Sequence, residues 1–172
     1  MPDLTLEQIE GIAREAHAHQ LDKSGRPYVE HVQAVADGVR EQGGSDEQIA
    51  AAWLHDTIED EKLSREWLDS AELPQHVKDL VDAMTKRPGE SDEAYTQRIL
   101  AVPGARLIKE ADLAHNADPD RLALLDEATR RRLSKKYATL SRLLRPERGI
   151  CLAPARVGPL VTRAAPARGH GG

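Results

Sequence analysis

The run His55-Asp56-Thr57-Ile58-Glu59-Asp60 puts four titratable side chains into six residues, directly after the apolar stretch Ile49-Ala50-Ala51-Ala52-Trp53-Leu54. An apolar stretch of that kind anchors a helix in a core. Charged groups at the end of a core helix carry a desolvation cost that a bound divalent cation offsets. His55 and Asp56 are adjacent and so point about 100° apart on an ideal helix. At a helix end, both still reach one ion. This segment therefore demands two things of the fold: a buried helix, and a metal-sized cluster at its end.

The other local signals are helical. Thr5-Leu6-Glu7-Gln8 reads as a capping box opening a helix to about His19, with Ile9, Ile12, Ala13 and Ala16 on its apolar stripe. Residues 22–27 form a loop, and Pro27 opens a second helix with Val32, Val35, Ala36 and Val39 inward. Gly43-Gly44 ends it. Ser45-Asp46-Glu47-Gln48 is a second capping box, starting the helix expected to run into the acidic cluster. Further helices are expected near 64–70, 74–86, 92–101 and 105–116, with Asp118-Pro119 closing the last of these. A final helix, capped by Asp126, should reach about Leu144. Alternating strand patterns are scarce, so the expected class is all-α, a multi-helix bundle.

Residues 1–145 are expected to form one domain. Residues 146–172 are rich in Pro, Ala, Arg and Gly with weak periodicity, and are expected to be a disordered tail. The net charge is −5 overall; the tail carries four Arg and one Glu, so residues 1–145 carry −8. An acidic body does not suit a general nucleic-acid binder. A small phosphorylated ligand remains compatible with it, because a metal and a few cations set the potential inside a pocket. The single Cys151 forms no internal disulfide. No basic-then-apolar N-terminal segment and no membrane-length apolar run occur, so a cytoplasmic protein without membrane contact is expected. An oligomer is not indicated.

Two more blocks hold candidate ligands: Gly25-Arg26-Pro27-Tyr28-Val29-Glu30-His31 and Lys109-Glu110-Ala111-Asp112-Leu113-Ala114-His115-Asn116. His31 and Asp112 would complete a two-His, two-Asp set with His55 and Asp56. Mixed nitrogen and oxygen ligands with open positions suit Mn²⁺ or another divalent transition metal better than a closed zinc site. Such an ion activates water and polarises a phosphoryl oxygen, which makes phosphoester hydrolysis the natural chemistry.

These residues match the pattern of HD-domain metal-dependent phosphohydrolases. The longer strings Ala16-His17-Ala18-His19-Gln20, Lys23 through Tyr28 to His31, His55 through Asp60, and Ala111-Asp112 with Asn116 resemble the hydrolase domain of the RelA/SpoT family, most of all its stand-alone small alarmone hydrolases. The resemblance covers residues 5–144. It implies Mn²⁺ ligation by His31, His55, Asp56 and Asp112, and placement and deprotonation of the attacking water by Glu59 and Asp60. It also implies a nucleotide contact from Asn116. Lys23, Ser24, Arg26 and Lys109, within or beside the matched strings, are the other candidate substrate contacts, with Lys86 and Arg87 nearby. The family reaction removes the 3′-pyrophosphate of guanosine tetra- or pentaphosphate.

Two departures stand out. Where many family members carry an Arg that packs on guanine, this chain has Asp22, and where Arg-Thr often follows the Asn it has Ala117-Asp118. A carboxylate cannot stack on a purine but can accept from an exocyclic amino group, so adenosine alarmones such as ppApp come into range. Other readings are an HD phosphohydrolase of different specificity, or a nucleotide-sensing module without turnover. His17 is expected to be a hydrogen-bonded packing residue. His115 is expected to be exposed or to support a ligand, and Arg130-Arg131-Arg132 with Lys135-Lys136 a solvated helix face.

Overall fold

A computed structural model describes residues 3–145; the tail expected over 146–172 lies outside the described residues. These hold nine helices: α1 Leu6–Ala16, α2 Tyr28–Glu41, α3 Asp46–Leu54, α4 Arg65–Ser70, α5 Gln75–Met84, α6 Asp92–Ala101, α7 Ala105–Asn116, α8 Pro119–Ala123 and α9 Glu127–Leu143. The only β pairing among the described residues is one isolated bridge, Leu21 with Pro27, which cinches the loop between α1 and α2.

Both expected capping boxes form. Thr5 and Gln8 satisfy one another's backbone N–H groups at the start of α1, as do Ser45 and Gln48 at α3. Helix α3 is the axis of the bundle, with every residue from Ile49 to Leu54 buried and α1, α2, α5 and α7 packed around it. Ala50, Ala51 and Ala52 let these neighbours approach closely, while Trp53 and Leu54 fill the layer above. Burying side chains of the latter size stabilises by about 1.5–3 kcal/mol each. The path into α7 is fixed at Gly104, whose φ of +89° lies in the left-handed region, and a Cβ there would meet Gln48 Nε2 at 2.9 Å. Gln48 Nε2 donates to the Gly104 carbonyl at 3.0 Å, tying the starts of α3 and α7 together.

Three expectations need correcting. Helix α1 ends at Ala16, with His17–His19 in a turn. Helix α3 stops at Leu54, with His55 as its C-cap, and residues 55–61 form consecutive turns ending at Glu61, φ +55°. The acidic pair therefore stands on a turn and not on the helix face. Finally, Asp118-Pro119 also starts a helix: Asp118 accepts from the backbone N–H groups of Asp120 and Arg121, and Pro119 occupies the first turn of α8.

His76 of α5 clips the bundle together from outside. Its Nδ1 lies 2.6 Å from Glu47 Oε2 and its Nε2 2.9 Å from the Pro103 carbonyl. With an acceptor at each nitrogen, the hydrogen bonds to Glu47 and Pro103 hold its pKa above the ordinary histidine value. A raised folded pKa stabilises fully below the unfolded value, and that contribution fades as pH rises through the folded value. The unfolding midpoint should therefore fall more for wild type than for His76→Gln between pH 5.5 and pH 9, and parallel curves would show that the clip carries no proton.

Candidate metal centre and its cleft

The bundle brings His31 from α2, His55 and Asp56 from the end of α3, and Asp112 from α7 into one cluster, with one ligand atom from each within 4.8 Å of the others. His55 Nε2 is 2.9 Å from Asp56 Oδ2 and 3.7 Å from Asp112 Oδ1; His31 Nε2 is 3.2 Å from Asp112 Oδ1 and 3.7 Å from Asp56 Oδ2. Both histidines are buried, and neither Nε2 has a hydrogen-bond partner. Buried polar atoms without partners are costly, and these two converge on a pair of carboxylates. A divalent cation with nitrogen and oxygen ligands fits that arrangement.

The surroundings orient each of these four side chains. His55 Nδ1 donates to the Ala52 carbonyl at 2.7 Å, which turns Nε2 toward the two carboxylates. His31 Nδ1 lies 2.7 Å from His115 Nδ1. Burial, then the neighbouring His31 and Arg121, push His115 down to about 4, so His115 is neutral and one hydrogen is shared between the two facing nitrogens. That answers the question left open for His115: it supports His31. Tyr28 Oη donates to Asp56 Oδ2 at 2.6 Å, and burial followed by the Asp56 charge raises its pKa, keeping it a donor. Asn116 Nδ2 and Lys109 Nζ donate to the two oxygens of Asp112, both at 2.7 Å. Burial opposes the Lys109 charge, but Asp112 outweighs it and holds the amine protonated. Burial likewise opposes charge on both aspartates, yet the histidines and Lys109 hold Asp56 and Asp112 well below the usual carboxylate range. The cluster is built to attract positive charge.

Glu59 and Asp60 flank it. Glu59 Oε2 accepts from the Lys86 backbone N–H at 3.0 Å, and Asp60 Oδ2 accepts from Gln20 Nε2 at 2.7 Å. Gln20 Oε1 in turn faces His17 Nδ1 at 2.7 Å. His17 is buried and stacks at a tilt on Tyr28, with ring centroids 5.1 Å apart. The loop that reaches Glu59 is itself latched: Arg98 grips both oxygens of Glu90 at 2.6 and 2.9 Å and donates to the Asp82 and Thr85 carbonyls.

All of this opens into a cleft of about 350 Å³. Of the residues singled out from sequence, Asp22, Lys23, Ser24, Asp56, Glu59, Asp60, Lys86, Lys109, Asp112 and Asn116 line it, while His31 and His55 lie behind Asp56 and Asp112. Ser24 spends its hydroxyl on Asp22 Oδ1 at 2.6 Å. Arg26 is not in the lining and pairs on the surface with Glu30 at 2.9 Å. Lys136, read from sequence as part of a solvated face, also lines the cleft, because it shares a helical stripe with Leu133, Tyr137 and Leu140. That spacing was the available signal. Gln20, Tyr28 and Arg121 were missed as contributors, since their partners lie 28 to 99 residues away.

An all-helical bundle that gathers two imidazoles and two carboxylates at the end of its central helix defines a class of metal-centred helical domains. The family model described as "HD domain" matches residues 11–102, and the chain belongs to that family. It is 35% identical over 136 residues to the guanosine-3′,5′-bis(diphosphate) 3′-pyrophosphohydrolase of Haemophilus influenzae, covering 73% of this chain and 20% of that protein. Identity is also 35% over 162 residues with the protein of the same name from Vibrio cholerae, covering 82% of this chain and 23% of that protein. With the bifunctional (p)ppGpp synthase/hydrolase RelA of Mycobacterium tuberculosis it is 38% over 134 residues, covering 64% and 16%. The chain thus spans less than a quarter of the length of these relatives. Among the described residues no helix is long and apolar enough to cross a membrane.

Proposed function

We propose that this chain hydrolyses the 3′-pyrophosphate of alarmone nucleotides, (p)ppGpp or (p)ppApp, giving the nucleoside 5′-di- or triphosphate and pyrophosphate. The observation that supports the reading is that Asp56 and Asp112 of the four-residue cluster line one lysine-bearing cleft together with Glu59 and Asp60. The likeness to named 3′-pyrophosphohydrolases supports it.

His31, His55, Asp56 and Asp112 would hold one Mn²⁺, which supplies Lewis acidity toward phosphoryl oxygen and water. Glu59 takes the proton of the attacking water and Asp60 orients that water. The water oxygen bonds to the phosphorus on the 3′-oxygen, the P–O3′ bond breaks, pyrophosphate departs, and the 3′-oxygen takes a proton from solvent, to which Glu59 returns its own. Lys23 and Lys136 neutralise phosphate oxygens in the cleft, while Lys109 and Asn116 hold Asp112 still as charge develops.

The test is product analysis with Mn²⁺ and ppGpp, ppApp, GTP or AMP. Pyrophosphate release from an alarmone, absent in Asp56→Ala, is expected. Release from neither alarmone defeats the reading, and turnover of AMP would assign a different specificity within the family.

The arrangement behind Asp60 gives a second expectation. Removing the Gln20 amide frees Asp60 to rotate, so Gln20→Ala should lower turnover about 10–100-fold, the cost typical of losing an orienting hydrogen bond next to a metal site. Mn²⁺ affinity should stay unchanged. A parallel loss of metal affinity would mean that Gln20 shapes the centre itself.

A further inference from the structure

Asp22 stands where a carboxylate ready to read a nucleobase edge was expected, and it is already engaged. Its Oδ1 accepts from the Ser24 N–H at 2.8 Å, the Ser24 hydroxyl at 2.6 Å and the Arg26 N–H at 3.0 Å. Its Oδ2 lies 3.1 Å from Arg121 Nη2, in an ion pair whose side chains are only 7% and 16% exposed. Arg121 reaches the cleft from α8, and apart from this ion pair its side chain makes no polar contact among the described residues. It is held at one end by Asp22, and its largely buried side chain borders the cleft.

The cleft lining mixes cations with apolar walls. Lys23 and Lys136 line it without an ion-pair partner among the described residues, so they carry free positive charge for phosphates. The charge of Arg121 is already balanced by Asp22, and the cleft it borders is also lined by Leu122, Leu125, Leu133, Tyr137 and Leu140. A neutralised guanidinium next to apolar walls suits a flat, uncharged π-system better than a phosphate.

We propose that Arg121 is the base-holding residue of this cleft and Asp22 its counter-ion, so that a purine is held by stacking on the guanidinium plane and its edge is not read by a carboxylate. The proposal rests on the alarmone reading and narrows its substrate class: guanosine and adenosine 3′-pyrophosphates should be taken nearly alike. Stacking on a plane discriminates weakly, because guanine and adenine offer similar faces.

The test compares wild type, Arg121→Ala, Arg121→Lys and Asp22→Asn with ppGpp and ppApp, and measures GDP and ADP binding by calorimetry. Arg121→Lys keeps a cation opposite Asp22 and so controls for folding. The wild-type kcat/KM values for the two alarmones should lie within about threefold, less than the hundredfold and more that a hydrogen-bonding specificity site gives. Both Arg121 variants should raise KM for both nucleotides about tenfold, in the range of one lost stacking contact. The kcat and inhibition by inorganic pyrophosphate, which has no base, should stay unchanged. Asp22→Asn should leave the guanosine-to-adenosine ratio unaltered.

Full rescue by Arg121→Lys, or a loss that grows with the number of 5′-phosphates, would put Arg121 on phosphate and overturn the assignment. An Asp22→Asn effect on one base alone would show that the carboxylate reads the edge. If wild type turns over neither alarmone, the parent reading fails by itself. GDP and ADP binding then decides the role of Arg121: weaker binding of both to the Arg121 variants upholds it, and unaltered binding overturns it.

Discussion

Glu59→Gln should lower pyrophosphate release by about 10²–10⁴-fold, the usual contribution of a general base, while Mn²⁺ binding stays at the wild-type level. The substitution is nearly isosteric. The Gln oxygen can still accept from the Lys86 N–H, which now lies 3.0 Å from Glu59 Oε2, so the turn keeps its anchor. What is lost is the ability to take a proton. The measurement is single-turnover pyrophosphate release beside a metal titration. A near-normal rate would remove Glu59 from the mechanism, and a weakened titration would recast it as part of the centre.

The second large effect concerns Asp56. His31, His55 and Tyr28 all converge on this carboxylate. At a hundredfold excess over its dissociation constant, a ligand that binds only the folded state stabilises by about 2.7 kcal/mol. For a domain of this size that corresponds to a rise in Tm of roughly 10 °C. Mn²⁺ should produce such a rise in the wild type and none in Asp56→Ala, which should also lose turnover. Asp56→Asn, which keeps the volume and an acceptor for Tyr28, should behave the same way if charge matters and not packing. A wild-type rise preserved in both variants would place the ion elsewhere.

The helices were legible where the signal was local. Thr5 with Gln8 and Ser45 with Gln48 each carry cap and counter-cap within four residues, and both boxes form. The run Ile49–Leu54 is apolar on every side and is buried on every side. The residues His31, His55, Asp56 and Asp112 were legible as a group, and the bundle does bring them together. The chain end of α3 was harder. Nothing between Leu54 and Glu59 forbids helix, and the turn is set by tertiary partners: Lys86 for Glu59 and Gln20 for Asp60. Asp118-Pro119 is ambiguous by nature, since the same pair ends one helix and begins another. Least legible was the pairing of Asp22 with Arg121, because no local pattern links a loop residue to a helix 99 positions away.

The two carboxylates of the turn after α3 are moored at opposite shores of the chain. Asp60 hangs from the turn after α1, 40 residues earlier, and Glu59 from the backbone after α5, 27 residues later, through a loop that Arg98 and Glu90 fasten. Neither mooring exists until those distant segments have docked. A chain that has gathered His31, His55, Asp56 and Asp112 around α3 still lacks an aligned Glu59 and Asp60 until then. Catalytic competence should therefore be the last property to appear during refolding, later than helix content and later than metal uptake.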